Sequence, residues 1–316
     1  MTETVVVTGA AGFIGSHLVD RLLEQGYRVI GIDNMRTGSI LNLEKAKDHD
    51  DFEFFEMDVC DSNLKKTIQE DVNIIFHLAA ISSVKLSIQD PYTVNDVNVG
   101  GTLNMLDFAK ERGAKQFIFT SSAAVYGNPT TFPVTEDTPV YPLSPYAASK
   151  LSAEMYCLSY GETHGVVPTI LRYFNVYGPR QEYSEYSGVI PIFINQTLHG
   201  LPIQIDGDGM QTRSFIHVDD VVRATLLAKQ VSESESHILN LSGTESISIL
   251  DLAHLIKKYI PNSESEIFHC PPRKGDVKDS IGSIDRISEI LNFTPDVSFE
   301  TGLERTVSWY DLNMSK

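Results

Sequence analysis

"VVVTGAAGFIGSHL", residues 5–18, decides the fold. Its valines read as a buried strand. The stretch that follows, FIGSHLVDRLLEQGY, sets Ile14, Leu18, Leu22 and Leu23 at helical spacing, with Gly26 as a stop signal. Between strand and helix, Gly9, Gly12 and Gly15 recur at three-residue intervals. A glycine triplet alone is weak evidence, and a glycine-rich turn that binds nothing has the same composition. The strand–turn–helix setting is what strengthens it. In that setting Gly9 permits the tight turn, Gly12 lets the backbone approach a diphosphate and Gly15 lets the helix lie close to the strand. The helix N-terminus adds N–H donors and a partial positive charge, with Phe13 and Ile14 in its first turn.

Working outward, short apolar runs alternate with amphipathic stretches. RVIGIDN (28–34), FEFFEMDV (52–59), VNIIFHLAA (72–80), KQFIFTSS (115–122) and VPTILRYFNVYG (167–178) read as strands. VGGTLNMLDFAKERGA (99–114) and PYAASKLSAEMYCLSYGETHG (145–165) read as helices. Such alternation requires parallel pairing through right-handed crossovers, so the expected class is α/β, a Rossmann-type doubly wound parallel sheet. Beyond Gly178 the pattern weakens: 188–200, 219–230 and 248–260 read as helices, and 201–218 as hairpin-like strands around a Gly-Asp turn. We therefore expect a dinucleotide-binding domain over 1–178, to which 214–242 returns, and a smaller α+β C-terminal substrate-binding lobe over 179–316.

The chain has 316 residues, 42% hydrophobic and 21% charged, which suits a soluble globular protein. Its net charge of -17 argues against nucleic acid or anionic membrane as partner. Cys60, Cys157 and Cys270 are far apart, odd in number and without a C-x-x-C, so neither a disulfide framework nor a metal site is expected. With an opening strand in place of a signal core and no long apolar run, a cytoplasmic location is expected.

Asp33 ends the second predicted strand, 18 residues after Gly15, about where an acidic side chain meets adenosine ribose hydroxyls. A carboxylate there repels a 2′-phosphate, which favours NAD over NADP, although Arg36 stands close by. Asp58 suits two tasks equally, accepting from an adenine amino group or capping the strand end. Tyr146 and Lys150, in SPYAASK, lie one helical turn apart on one face. They are either an acid–base pair or two ordinary helix residues.

The chain resembles the extended short-chain dehydrogenase/reductase family, in particular its NAD-dependent nucleotide-sugar epimerases of the UDP-glucose/UDP-galactose 4-epimerase type. The resemblance spans essentially the whole chain. It rests on TGAAGFIG (8–15), DN (33–34), DV (58–59), HLAA (77–80), NVGGT (98–102), SSAAVYG (121–127), SPYAASK (144–150), RYFNVYGPR (172–180), RSFIHVDD (213–220) and PRKGD (272–276). It implies Tyr146 as base, Lys150 on the nicotinamide ribose and Ser122 holding the sugar oxygen. Asn34, Asp58, Val59, Leu78, Ala79, Ala80, Asn98 and Tyr173 then join the glycine turn in contacting or supporting the cofactor. Asn175, Val189, Arg213, Arg273, Asp276 and Ser280 fall on the UDP-sugar side. A homodimer through the two long helices is usual in the family.

Tyrosine ordinarily titrates near 10, so the lysine cation and the positive nicotinamide ring are together expected to lower it enough for proton abstraction. Related dehydratases and decarboxylases carry acidic residues where this chain has Ala123 and Ala124. Two methyl groups cannot shuttle a proton, which leaves oxidation and its reversal, hence 4-epimerisation through a 4-keto sugar. UDP-glucuronate 4-epimerases, which tend to carry threonine at Asn175, a reductase and a catalytically silent NAD-binding regulator are the competing readings. Ser280 occupies a wall position that is small where N-acetyl sugars are accepted, so UDP-GlcNAc and UDP-GalNAc are expected to fit beside UDP-glucose and UDP-galactose. Local packing explains a serine there as well.

Overall fold

Val5, Val6 and Val7 are fully buried, yet they serve two different cores. Val5 and Val7 join an apolar cluster with Leu18, Leu22, Val221 and Leu239, while Val6 joins one with Leu106, Phe108, Phe119 and Cys157. Successive side chains of a strand point to opposite faces, so this is a sheet covered by helices on both sides.

The computed structural model describes residues 2–184, 187–231, 235–272 and 278–314. Strand β1 (Thr4–Thr8) leads to helix α1 (Phe13–Glu24), β2 (Arg28–Asp33), β3 (Phe52–Glu56), a short α2 (Leu64–Thr67) and β4 (Ile74–His77). Short helices α3 (Val84–Gln89) and α4 (Pro91–Asn95) pass through a π-helical turn, Asp96–Gly100, into α5 (Gly101–Glu111). Then come β5 (Gln116–Ser122), α6 (Pro145–His164), β6 (Val167–Tyr173), β7 (Asn175–Tyr177), α7 (Val189–Leu198), β8 (Ile203–Asp206), β9 (Thr212–His217) and α8 (Val218–Leu227). The chain closes with β10 (His237–Leu241), β11 (Ser246–Ser248), α9 (Ile249–Tyr259), β12 (Ile267–Cys270), β13 (Asp279–Ser280), α10 (Asp285–Leu291) and α11 (Phe299–Met314).

Among the described residues the main sheet has seven strands in the order β10-β6-β5-β4-β1-β2-β3, all parallel. The expected doubly wound α/β class is met. Helices α1 and α8 cover one face, α5 and α6 the other. Local chemistry sets the helix ends. At α6, Ser144 caps Ala147 N at 3.1 Å, Pro145 occupies the first turn and Gly165 closes the helix at φ 69°. Loss of such a cap costs about 1 kcal/mol.

Several sequence expectations change. Residues 201–218 do not form a hairpin: β8 pairs with β12, whereas β9 pairs with β11, β13 and β7. Apolar alternation marked both strands as half-buried but could not name their partners. Gln211 diverts the chain, donating to Asp206 O while its own carbonyl receives Ile249 N. The strand expected over 167–178 breaks at Phe174, whose N–H crosses to Leu241 O, so β6 stays in the main sheet and β7 joins β9. The third strand stops at Glu56, before Asp58. Helices α3 and α4, capped by Ser83 and Asp90, had not been anticipated.

Within the segment 214–242, β10 returns to the main sheet beside β6, while β9 belongs to the four-stranded sheet. That smaller sheet rests on a separate core that includes Tyr177, Phe193, Phe215, Leu252 and Leu303. Among the described residues no helix is long and apolar enough to cross a membrane, and no cluster of three or more His, Cys, Asp or Glu has a metal-binding arrangement.

Candidate active site

A cavity of about 740 Å3 opens at the C-terminal ends of the parallel strands, where Gly9 follows β1, Asp33 and Asn34 close β2, Leu78–Ala80 follow β4 and Thr120–Ser122 end β5. This is where open α/β sheets bind ligands. The glycine turn is shaped for close approach. Gly9 has φ 70°, and a Cβ there would stand 3.0 Å from Ala79 N. At Gly15 a Cβ would stand 2.0 Å from Gly9 O, so the start of α1 can rest on the turn only without a side chain. Gly12, Phe13, Ile14 and Gly15 all line the cavity. The cradle fits a dinucleotide diphosphate.

Asp33 braces that cradle from below. Its carboxylate accepts from Ala11 N at 3.0 Å, Met35 N at 2.9 Å and Gly12 N. Burial raises the carboxyl above its ordinary value, and those three N–H groups oppose the rise. Asn34 and Val59 also line the cavity. Asp58 does not. Burial works to raise it, but the Cys60 N–H, the Asn34 amide (2.7 Å) and Arg36 hold it below the ordinary value. It therefore caps the turn after β3 and fixes Asn34.

The wall made by Leu78, Ala79 and Ala80 hangs on a buried polar chain. Thr102 donates to Asn98 O at 2.6 Å, so its oxygen is left to accept from His77 Nε2 at 3.1 Å. His77 Nδ1 then accepts from Thr8 Oγ1 at 2.8 Å, and that oxygen receives the N–H groups of Leu78 and Ala79 at 3.1 Å each. Hydrogen-bond counting thus assigns the Nε2–H tautomer. Burial, and secondarily Lys150, pushes His77 down to about 3, so the ring is neutral. Asn98 lies in the π-turn, a common device at functional sites. Its amide exchanges bonds with Ile81 N (2.8 Å) and Ile81 O (3.1 Å) and donates to Ser149 Oγ at 2.9 Å. It stands behind the cavity and ties the β4 loop to α6.

Ser122, Tyr146, Lys150 and Tyr173 meet on the cavity wall. Tyr146 is hydrogen-bonded to Ser122, and Lys150 Nζ lies 4.5 Å from the centroid of the Phe119 ring. The protein's own groups do not lower Tyr146, and the nicotinamide charge is the other half of that expectation. Burial raises the tyrosine, and Ser122 alone is seen to oppose it. The strain falls on Lys150, which burial lowers to about 8 against the attraction of Glu154. Tyr173 presents its ring, because its hydroxyl is held by Thr225 at 2.6 Å.

On the other side, Asn175 Nδ2 donates to Ser214 O at 3.0 Å and to Ser280 Oγ at 3.3 Å. The structure thus joins two of the substrate-side candidates, although neither lines the cavity. Arg213 sits on β9 between β11 and β13 and donates to Lys278 O at 3.0 Å, and Val189 opens α7; both lie outside the cavity lining. Arg273 and Asp276 lie outside the described residues. Sequence reasoning missed Ser82, Phe174, Arg180 and Gln181, all on the cavity wall. Arg180 adopts φ 66° and pairs with Asp20 at 2.7 Å; the Gly178-Pro179 dipeptide before it was the turn signal.

A doubly wound sheet with a glycine cradle and a Ser–Tyr–Lys cluster at its carboxyl edge defines a dinucleotide-binding oxidoreductase scaffold. The profile of the NAD dependent epimerase/dehydratase family matches residues 5–242, and the chain belongs to that family. The family's cofactor is NAD. The chain is 38% identical to the putative UDP-glucose 4-epimerase of Methanocaldococcus jannaschii over 98% of this chain and 99% of the relative. It superimposes with a TM-score of 0.93, at 36% identity, on the UDP-N-acetylglucosamine 4-epimerase of Methanobrevibacter ruminantium M1 in complex with UDP-N-acetylmuramic acid, covering 99% of this chain and 100% of the other. It superimposes with a TM-score of 0.91, at 34% identity, on the UDP-glucuronic acid 4-epimerase of Bacillus cereus with UDP-glucuronic acid and NAD, covering 98% and 99%. These relatives are isomerases.

Proposed function

We propose that the chain is an NAD-dependent 4-epimerase of UDP-hexoses, acting on UDP-glucose and UDP-galactose and also on UDP-GlcNAc and UDP-GalNAc. The observation that carries this reading is Ala123–Ala124 beside the Ser122–Tyr146–Lys150 cluster. The two alanines form the turn directly after β5, half-buried, with Ala124 N donating to Ser122 Oγ at 3.2 Å. They offer no group to eliminate water or carbon dioxide next to a ketone.

The glycine turn would hold the diphosphate, Asp33 the adenosine ribose and Lys150 the nicotinamide ribose. NAD supplies the hydride acceptor at C4 and the source of the returning hydride, so no net redox occurs. Tyr146 takes the C4 hydroxyl proton as the ketone forms and returns it after the sugar has turned over. Ser122 fixes the oxygen. Burial works against phenolate formation, so Lys150 must be charged, and the positive nicotinamide close by, when Tyr146 acts.

UDP-glucuronate is the competing substrate, since a 4-epimerase of that sugar is also closely similar. Purified protein is incubated separately with UDP-glucose, UDP-GlcNAc and UDP-glucuronate, without added NAD, and C4 configuration is read by proton NMR. Inversion of the first two supports the reading; inversion of UDP-glucuronate alone replaces it, and no inversion at all sinks it. Tyr146→Phe should abolish turnover while NAD stays bound. Exposed Val84, Ile88, Tyr92, Met155 and Tyr156 lie on the mutually packed α3, α4 and α6, an apolar surface suited to a homodimer. Light scattering of Ile88→Asp would show a monomer where the unmodified chain is dimeric; equal masses would remove this surface from the interface.

A further inference from the structure

Behind the proton-transfer site lies a fully buried carboxylate that the scheme above does not use. Glu154 follows Lys150 by one turn of α6 and is 0% exposed. It accepts from Arg172 Nε at 3.0 Å, Arg172 Nη2 at 2.7 Å and the hydroxyl of Ser121. Each partner sits beside a residue of the site. Ser121 precedes Ser122 on β5, Arg172 precedes Tyr173 on β6, and these pairs face each other in register, Ser121 to Arg172 and Ser122 to Tyr173.

We propose that Glu154 is a positioning residue, a single carboxylate that locks the strand carrying Ser122, the strand carrying Tyr173 and the helix turn carrying Lys150 into one geometry. The inference rests on the proposed reaction for its catalytic meaning, but the lock itself is a property of the chain. Arg172 extends it. Nη1 donates to Tyr126 Oη at 2.9 Å, that hydroxyl donates to Asn240 Oδ1 at 2.7 Å, and Asn240 Nδ2 reaches Val134 O at 3.0 Å. Every polar atom named in this chain has a partner, the condition under which a buried network rigidifies a site.

Glu154 also acts on Lys150 by charge. The groups around the ammonium are Glu154 and Cys157 on α6, the Phe119 ring on β5, and neutral His77 on β4, with Arg172 of β6 behind Glu154. Cys157 is a buried thiol held well above its ordinary value, mainly by burial, and so uncharged. Glu154 is therefore the only anion in this set. Removing its charge takes away the attraction that opposes burial of the ammonium.

Glu154→Gln tests this, read by NAD+ titration calorimetry and by kcat between pH 6.5 and 9.5, with Tm recorded throughout. The upper pH midpoint at which NAD+ affinity falls should move down by about one pH unit. At neutral pH kcat should fall at least tenfold more than KM changes, and Glu154→Asp should recover part of both. An unchanged midpoint, with or without a lower Tm, overturns the proposal. Should Glu154→Gln not fold, the double variant Glu154→Met with Arg172→Met removes both charges at similar volume. A folded double variant with unmodified kcat also overturns it, whereas loss of kcat with NAD+ still bound supports it. If the unmodified chain epimerises none of the sugars tried, the reaction reading has failed, and the NAD+ midpoint alone then decides the positioning claim.

Discussion

Replacing Lys150 by methionine is expected to stabilise the ligand-free protein while destroying its chemistry. Burial is the main cause that lowers the ammonium from 10.5 to about 8, net of the opposing attraction of Glu154. At about 1.4 kcal/mol per pH unit, that drop is a cost of roughly 3 kcal/mol to the folded state. The sign follows from where the proton sits. Below about pH 8 both folded and unfolded chains carry it and the full cost applies. Between about 8 and 10.5 only the unfolded chain keeps it, so stability rises with pH, and above 10.5 the cost is gone. Methionine has a similar length and no charge, and it keeps contact with the Phe119 ring. Urea unfolding of both proteins at pH 7, 8.5 and 10 should show an advantage of up to roughly 3 kcal/mol for Lys150→Met at pH 7, shrinking towards zero by pH 10. Any packing gain or loss from methionine is independent of pH and drops out of the trend. A stability difference between the two proteins that stays constant from pH 7 to 10 would refute the account of Lys150 as a charge held against burial.

Gly15→Ala places a methyl 2.0 Å from Gly9 O, against backbone that cannot yield; a loss of about 3 kcal/mol in stability and of NAD+ binding is expected, by urea unfolding and calorimetry. His77 is neutral because burial lowers it from 6.5 to about 3, so the unfolded chain alone takes up its proton as pH falls below 6.5. Stability should drop by roughly 2 kcal/mol between pH 6.5 and 4.5 from this group, and His77→Gln should flatten that slope in acid titrations. Ser280→Tyr should suppress turnover of N-acetyl sugars at least tenfold more than that of UDP-glucose, and equal losses would return Ser280 to a packing role beside Asn175.

Much of the cofactor side was legible because the signals there are local. A glycine triplet between strand and helix, an acid at the end of β2 and a Tyr–Lys pair one helical turn apart are set by the chain's own backbone, and the structure puts all of them on one cavity. The substrate side depends on pairings that no periodicity encodes. Nothing in residues 201–218 says that β8 seeks β12 and β9 seeks β7. Nothing in VPTILRYFNVYG marks Phe174 as the point of departure, since strand-forming residues stand on both sides of it. The balance of the chain's own groups on Tyr146 was not legible for a related reason. Sequence spacing puts a cation near a phenol, but it does not report how completely both are buried, and burial is the larger effect on each.

The break at Phe174 also acts as a ruler. Tyr173 ends a strand of the dinucleotide-binding sheet, Asn175 begins a strand of the smaller sheet, and one residue separates them. Two Cα steps span about 7 Å when extended. Under the proposed function, the distance from the residue set against nicotinamide to the residue set against the sugar is therefore written into the covalent chain. Insertions elsewhere in the smaller lobe can reshape what is bound there, but a single residue added between 173 and 175 would put the two halves of the site out of gauge.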